Sequence, residues 1–187
     1  MERVYLDTNV LFPMTLMDLL LSMAEDFHHD IIWTDYLLAE WQRVIVREKR
    51  RTPEQATAIT DAIRHAFPAG RVASGAYESL IDSVPGPDDD DRVHGAAAIA
   101  GRATALVTAN TRHFDAAFFR LHDVAVETPD DYLLRRLAAA PESVVQTIQR
   151  VTDLKRNPQW TVDEYLERLG GTGARLFVAA LRDRIGS

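Results

Sequence analysis

The sequence has no cysteine. It can therefore form neither a disulfide bond nor a thiolate metal site, which fits a reducing cytoplasm. It also lacks an apolar run of about 20 residues, the length that crosses a bilayer. Asp7 and Asn9 interrupt the first apolar segment, so the start of the chain does not read as a secretory signal. We expect a cytoplasmic protein with no membrane partner.

Lysine is scarce, since Lys49 and Lys155 are the only two, and the net charge is −7. An acidic protein is not an obvious nucleic-acid binder, because phosphate contacts need local positive charge. The basic residues nevertheless cluster in one segment, at Arg43, Arg47, Lys49, Arg50 and Arg51. This cluster is either a basic patch on an acidic body or a solvated helix face.

Several catalytic motifs are also missing. No glycine-rich phosphate loop and no serine in a nucleophile elbow is present. The six histidines show no metal-ligand spacing, so we interpret most of them as ordinary surface or partly buried residues. His113 is the exception, because it lies in a loop where it can touch a phosphate.

Short apolar segments alternate with helical patterns through the first two thirds of the chain. The pattern predicts strands over 3–7, 30–34, 104–111 and 123–128, with helices between them. Such alternation favours an α/β fold with a mainly parallel sheet. From Pro129 the pattern is helical only, so we divide the chain into units 1–128 and 129–187.

Polar residues follow two of the predicted strands. Asp7 ends the first strand, and Asn110 comes just past the third. Ligands of parallel α/β sheets bind beyond the carboxyl ends of the strands, so both residues are candidates for a site. Glu40 lies at the rim of the buried stripe of its helix and is a third candidate. Its alternative role is a surface ion pair with Arg43 or Arg47.

The run Asp88 to Asp91 precedes an alanine-rich helix. Capping and the helix dipole account for one or two of these acids. Four in succession repel one another unless water or a cation screens them, and hard cations such as Mg²⁺ are held by a few carboxylates. Asp91, in the first turn of the helix, is the best placed to face an ion.

Four segments resemble the PIN-domain ribonucleases, especially the VapC-type toxins of bacterial toxin–antitoxin pairs. They are "VYLDTNVLF", "LLAEWQRV", "PDDDDRVHGAAAIAGRA" and "ALVTANTRHF", and the likeness covers residues 1 to about 128. The helical tail, beginning "PDDYLLRRL", resembles the C-terminal extension of one PIN subgroup. The resemblance implies a three-layer α/β/α fold with added C-terminal helices.

The resemblance also implies a site. Asp7, Glu40 and Asp91 match acids that bind Mg²⁺ or Mn²⁺, and Asn110 matches the family's T-x-N segment, which makes these four the expected catalytic residues. His113 stands where many members have a fourth acid. Which residue compensates is open, and the candidate additional ligands are Asp88, Asp90 and Asp115.

We therefore expect a metal-dependent endoribonuclease, the toxin of a toxin–antitoxin pair, with RNA as substrate. The resemblance implies an antitoxin partner and a homodimer. Candidate RNA contacts are Arg43, Arg47, Arg112 and His113. An alternative is a catalytically weak or inactive PIN scaffold that binds RNA or protein, which the histidine at position 113 favours.

A phosphotransfer enzyme on another α/β fold is a third possibility. A phosphatase of the haloacid-dehalogenase type needs an aspartate two residues after the first, where this chain has Asn9. A receiver domain needs a lysine near the end of the sheet, and neither Lys49 nor Lys155 is placed for it. Both features argue against this class.

Overall fold

A computed structural model of the protein describes residues 1–156 and 158–185. Its centre is a sheet of four parallel strands in the order β2-β1-β3-β4. The strands are β1 (Arg3–Leu6), β2 (Asp30–Ile32), β3 (Ala105–Val107) and β4 (Ala125–Glu127). The four strands lie within the predicted segments, and each is shorter than its segment.

Helices connect and follow the strands. They are α1 (Thr8–Leu11), α2 (Met14–Glu25), α3 (Asp35–Arg47), α4 (Pro53–Ala66), α5 (Ser74–Tyr77), α6 (Asp89–Ala100), α7 (Ala116–Arg120), α8 (Pro129–Ala139), α9 (Pro141–Asp153), α10 (Val162–Gly170) and α11 (Arg175–Ile185). No helix in the described part of the chain is long and apolar enough to cross a membrane.

The two central strands are buried on both faces. All three residues of β3 are fully buried, and so are Val4, Tyr5 and Leu6 of β1. Successive side chains of a strand point to opposite faces, so helices must cover both sides of the sheet. The predicted three-layer α/β/α fold with a parallel sheet is therefore confirmed.

The C-terminal helices pack along α2 rather than standing apart. Helices α9 and α10 both contact α2. The Arg150 guanidinium lies 3.0 Å from a carboxylate oxygen of Asp26, and the Thr147 hydroxyl donates to the same carboxylate at 2.6 Å. Tyr165 and Phe177 belong to the same buried cluster as the strands. A division at residue 128 thus remains a prediction from sequence, and one hydrophobic core spans both units.

A buried histidine links the two units. His29 precedes β2, and its Nδ1 lies 2.7 Å from the hydroxyl of Tyr132 on α8. Burial, together with the positive charges of Arg136 and His28, lowers the pKa of His29 to about 3. His29 is therefore neutral in the folded protein wherever the protein is stable.

This histidine makes stability depend on pH. Between about pH 6.5 and 3 the unfolded chain binds a proton at His29 that the folded chain does not, so the free energy of unfolding falls as the pH is lowered. We expect His29→Gln to flatten this slope by up to about 1.4 kcal/mol per pH unit, measured by urea unfolding from pH 4 to 6.5. The control is His65→Gln, at an exposed helix position. Equal slopes for the two variants would contradict the assignment.

Candidate active site

A cavity of about 530 Å³ opens at the carboxyl edge of the sheet. Asp7 directly follows β1, and Asn110 lies in the loop after β3. The lining consists mainly of polar side chains from four separate segments: Asp7, Thr8, Asn9, Glu40, Arg47, Asp88, Asp90, Asp91, His94, Asn110 and His113. The structure thus brings the four expected catalytic residues around one cavity.

Asp7 is the most deeply placed acid, only 3% exposed. Its Oδ2 accepts hydrogen bonds from the Thr108 hydroxyl at 2.7 Å and from the Asn9 amide. Burial raises the pKa of Asp7, and the charge of His94 and the hydrogen bond from Thr108 offset this rise only in part. The two hydrogen bonds thus hold the Asp7 carboxylate in one orientation, and its burial disfavours the charged form.

Glu40 reaches the cavity from the middle of α3. This helix begins after Thr34, whose hydroxyl accepts from the Leu37 amide at 3.0 Å. The Oε2 atom of Glu40 accepts from the Thr8 hydroxyl and contacts Nε2 of His94 at 2.7 Å. Burial favours protonation of Glu40, but the hydrogen bond and charge of His94 outweigh it and lower the pKa of Glu40. Glu40 is therefore an ionised carboxylate in the cavity wall.

Asp91 lies in the first turn of α6, which Asp88 caps by accepting from the Asp90 amide at 2.8 Å. The Oδ2 atom of Asp91 lies 2.8 Å from Nδ1 of His113. Asp91, one of the expected catalytic residues, thus has His113 as a direct partner. The loop after β3 and the start of α6 are joined through this pair.

His94 was not expected in the site. It is 1% exposed, its Nδ1 lies 2.9 Å from the Tyr5 hydroxyl, and its Nε2 lies 3.8 Å from Oδ1 of Asp7. Burial disfavours the charged imidazole, but the hydrogen bond to Glu40 and the charges of the acids outweigh it, so the pKa of His94 is raised. His94 thus binds a proton more readily than an ordinary histidine and lies among the carboxylates. The sequence signal was its position three residues after Asp91, which puts both on one face of α6.

The three additional acids differ in position. Asp88 and Asp90 line the cavity, and Asp90 accepts a hydrogen bond from the Tyr36 hydroxyl. Asp115 does not line it. Its Oδ1 instead accepts from the backbone amides of Ala117 and Phe118, at 2.9 and 3.2 Å, and caps α7. The structure therefore does not bring Asp115 to the other acids.

The four candidate RNA contacts also divide. Arg47 and His113 line the cavity. Arg43 and Arg112 are exposed and do not line it. Only the first two are placed to touch a ligand inside the cavity.

The donor set fits a hard divalent cation. In residues 1–156 and 158–185 no group of three or more acidic or histidine side chains has the geometry of a formed metal site. Every hydrogen bond that described residues make to the side-chain carboxylates of Asp7, Glu40 and Asp91 nevertheless falls on one oxygen of each. The second oxygen of each acid accepts no hydrogen bond from these residues, although that of Asp7 lies 3.8 Å from Nε2 of His94. Carboxylate oxygens are the ligands that Mg²⁺ and Mn²⁺ take.

Fold and site together define an α/β protein with an acidic cavity at the carboxyl edge of its parallel sheet. The chain belongs to the PIN domain family, because the model described as "PIN domain" matches residues 3–112. A second model, "VapC50 C-terminal domain", matches residues 129–183. The resemblance noted from the sequence is thereby confirmed for both parts of the chain.

A relative from Mycobacterium tuberculosis, named "Putative ribonuclease VapC50", is 29% identical over 115 residues. The aligned part covers 62% of this chain and 64% of the relative, which is less than two thirds of that protein. No solved structure matches the chain.

Proposed function

We propose that this protein is a metal-dependent endoribonuclease, the toxin of a toxin–antitoxin pair, and that it cuts RNA in the acidic cavity. One observation carries the proposal. Asp7, Glu40 and Asp91, far apart in sequence, line the same cavity at the carboxyl edge of the sheet in a chain of the PIN domain family. The relative's name, which contains the word ribonuclease, supports the same reaction class.

In this proposal Asp7, Glu40 and Asp91 hold Mg²⁺ or Mn²⁺, with Asp88 and Asp90 as further acids at the same cavity. A bound divalent ion supplies a Lewis acid that lowers the pKa of a water and offsets the charge of the acids, so that an RNA phosphate can approach.

Neighbouring side chains hold the carboxylates of Asp7 and Glu40 in position. Thr108 and Asn9 fix Asp7 by donating to one of its oxygens, and Thr8 does the same for Glu40. Such outer contacts hold ligand oxygens in place before the ligand arrives. Asn110 and Arg47, both in the lining, are the candidate contacts for the phosphate, with Arg43 and Arg112 outside the cavity as contacts for the flanking chain.

The proposal includes a protein partner. A toxin of this type is held inactive by its antitoxin, which would cover the cavity, and the enzyme would act in the cytoplasm as a homodimer. These expectations come from the resemblance. Co-purification with the product of the neighbouring gene tests the partner.

Cleavage itself is tested with purified protein and a labelled single-stranded RNA in buffer containing Mn²⁺, Mg²⁺ or EDTA. We expect internal cuts with either ion and none in EDTA. Saturable RNA binding without cleavage in either metal would reject the proposal.

Saturable RNA binding without cleavage would favour a non-enzymatic scaffold. The observation that supports this alternative is the pairing of acids with histidines: His94 contacts Glu40, and His113 contacts Asp91. In a scaffold these histidines would be the permanent partners of the acids. Absence of Mn²⁺ binding in the millimolar range would distinguish it from a nuclease.

Thr108→Val tests whether the outer contacts of Asp7 matter. Valine keeps the shape of the fully buried Thr108 but removes the hydroxyl, which donates to Asp7 and accepts from the Asn9 side chain and the Asn110 amide. We expect Mn²⁺ affinity, measured by calorimetry, to fall about 10–100-fold, since outer-contact substitutions at metal sites cost this much.

The chain offers a matched control at the other end of β3. Thr104 directly precedes the strand, as Thr108 directly follows it, and the Thr104 hydroxyl donates to the Arg3 carbonyl. Thr104→Val should leave Mn²⁺ affinity unchanged. Equal affinities for both variants would show that the Thr108 hydroxyl does not orient a ligand.

A further inference from the structure

A second cavity, of about 560 Å³, adjoins the candidate active site. Phe12 lines both cavities, so the two lie on either side of this residue. Arg50 and Arg51, just after α3, form one side of the second cavity, and Arg168 and Thr172 of the C-terminal extension form another. We name this surface the arginine groove and define it by Phe12, Arg50, Arg51 and Arg168.

The three arginines make few contacts with carboxylates: Arg168 has the nearby charge of Glu164, one helical turn away. Among the described residues none of them makes a salt bridge, whereas Arg64, Arg135 and Arg150 each make at least two. The groove thus gathers three guanidinium groups that make no salt bridge with described residues. Their charge is therefore available to an anionic ligand.

The groove also offers flat apolar surface. The Arg168 guanidinium lies 4.5 Å from the centre of the Trp160 ring, which orients it, and Phe12 is half-buried between the two cavities. The Nη1 of Arg51 donates to the Arg50 carbonyl at 2.8 Å, which ties these two residues together. Arginine forks that flank an aromatic ring are the elements that bind single-stranded nucleic acid, through its phosphates and bases.

We propose that the C-terminal extension completes the RNA-binding surface, and that the strand flanking the scissile phosphate runs from the acidic cavity past Phe12 into the arginine groove. This inference rests on the proposed function and deepens it. The observation that favours RNA over an acidic peptide is that Phe12 is shared: it lines the cavity of carboxylates suited to a metal and a phosphate, and it also lines the groove that contains Arg50, Arg51 and Arg168. Arg168 is then a substrate contact supplied by the extension.

The test measures RNA binding by full-length protein. Variants Arg168→Ala and the double change Arg50→Ala, Arg51→Ala are made in an Asp7→Asn background, so that the RNA stays intact. The probe is a fluorescein-labelled single-stranded RNA of mixed sequence, followed by anisotropy at several KCl concentrations. We expect Arg168→Ala to weaken binding about 5-fold and to lower the slope of log affinity against log salt by about 0.7, the value for one lost phosphate contact. The double variant should lose about twice that slope.

Arg120→Ala is the matched control. Arg120 is also exposed and makes no salt bridge with any described residue, but it lines a cavity near Thr104, at the opposite edge of the sheet. RNA affinity and salt slope should stay at the parent value. Circular dichroism and thermal melting check that each variant is folded.

Single-turnover cleavage is then measured for the same variants with Asp7 restored, which distinguishes RNA binding by the groove from cleavage in the acidic cavity. We expect slower cleavage at low protein concentration and the parent rate at saturation, because the groove binds RNA and does not act on the phosphate.

If Arg168→Ala binds RNA like Arg120→Ala, the proposal is overturned. It is also overturned if RNA binding is unchanged and only binding of the neighbouring gene's protein is lost. If the variants weaken RNA binding but the parent never cleaves RNA, the groove stands and the proposed nuclease function fails.

Discussion

Asp7→Asn is expected to lower the rate of RNA cleavage about 1000-fold, because it removes one negative charge and one ligand oxygen from the centre of the cavity. Asparagine has nearly the shape of aspartate, and its carbonyl oxygen can still accept a hydrogen bond from Thr108. Because burial raises the pKa of Asp7, the neutral amide is no harder to bury than the carboxylate. The variant should therefore fold and melt at or above the temperature of the parent.

Asp115→Asn provides the matched control. Asp115 caps α7 outside the cavity, and asparagine is as good an N-cap as aspartate. This variant should cleave RNA at the parent rate. If Asp7→Asn cleaves as fast as Asp115→Asn in single-turnover assays with Mn²⁺, the acidic cavity is not the site of the reaction.

The second large effect is on stability and concerns His94. Replacing His94 with leucine removes the imidazole that contacts the Tyr5 hydroxyl and the Glu40 carboxylate. Breaking a buried charge pair by removing one member costs about 3–5 kcal/mol, a large part of the stability of an ordinary domain. We expect the free energy of unfolding, measured in urea with EDTA, to fall by that amount.

Mn²⁺ should raise the free energy of unfolding of the His94→Leu variant part of the way back to the parent value, because a cation bound by the acids offsets their charge. His122→Leu is the control, since His122 is exposed beside Phe118. It should change the free energy of unfolding by less than about 0.5 kcal/mol. A loss below about 1 kcal/mol for His94→Leu would show that His94 does not offset the acids.

The fold follows from short-range patterns in the sequence. Continuous apolar segments such as residues 4–6 predict strands buried on both faces, and the helical patterns between them predict a parallel sheet. The position of Asp7 at the end of a strand was sufficient to place it at the carboxyl edge. Asn110 followed from the same rule.

Other parts of the site depend on contacts that no local pattern contains. Helical spacing alone favoured a surface ion pair for Glu40, and its place in the cavity results from how α3 packs. The partners of His94 are Glu40 and Tyr5, which lie 54 and 89 residues away in the sequence. A search for histidines at metal-ligand spacing could not find a histidine whose neighbours are carboxylates.

The packing of the C-terminal helices could not be predicted from the sequence patterns either. Those patterns predict helices that begin near Pro129 and Pro141, but not that the helices would lie along α2. That packing places Arg168 beside Arg50 and Arg51. The arginine groove is therefore a property of the folded chain.

The most direct test of the metal-dependent nuclease is a Mn²⁺ titration of EDTA-treated protein in which heat and RNA cleavage are followed under the same conditions. The account predicts that cleavage appears over the same range of Mn²⁺ concentration as the saturable heat of binding, and that Asp7→Asn loses both. Cleavage at the parent rate in EDTA, or saturable Mn²⁺ binding with no cleavage of RNA, would contradict it.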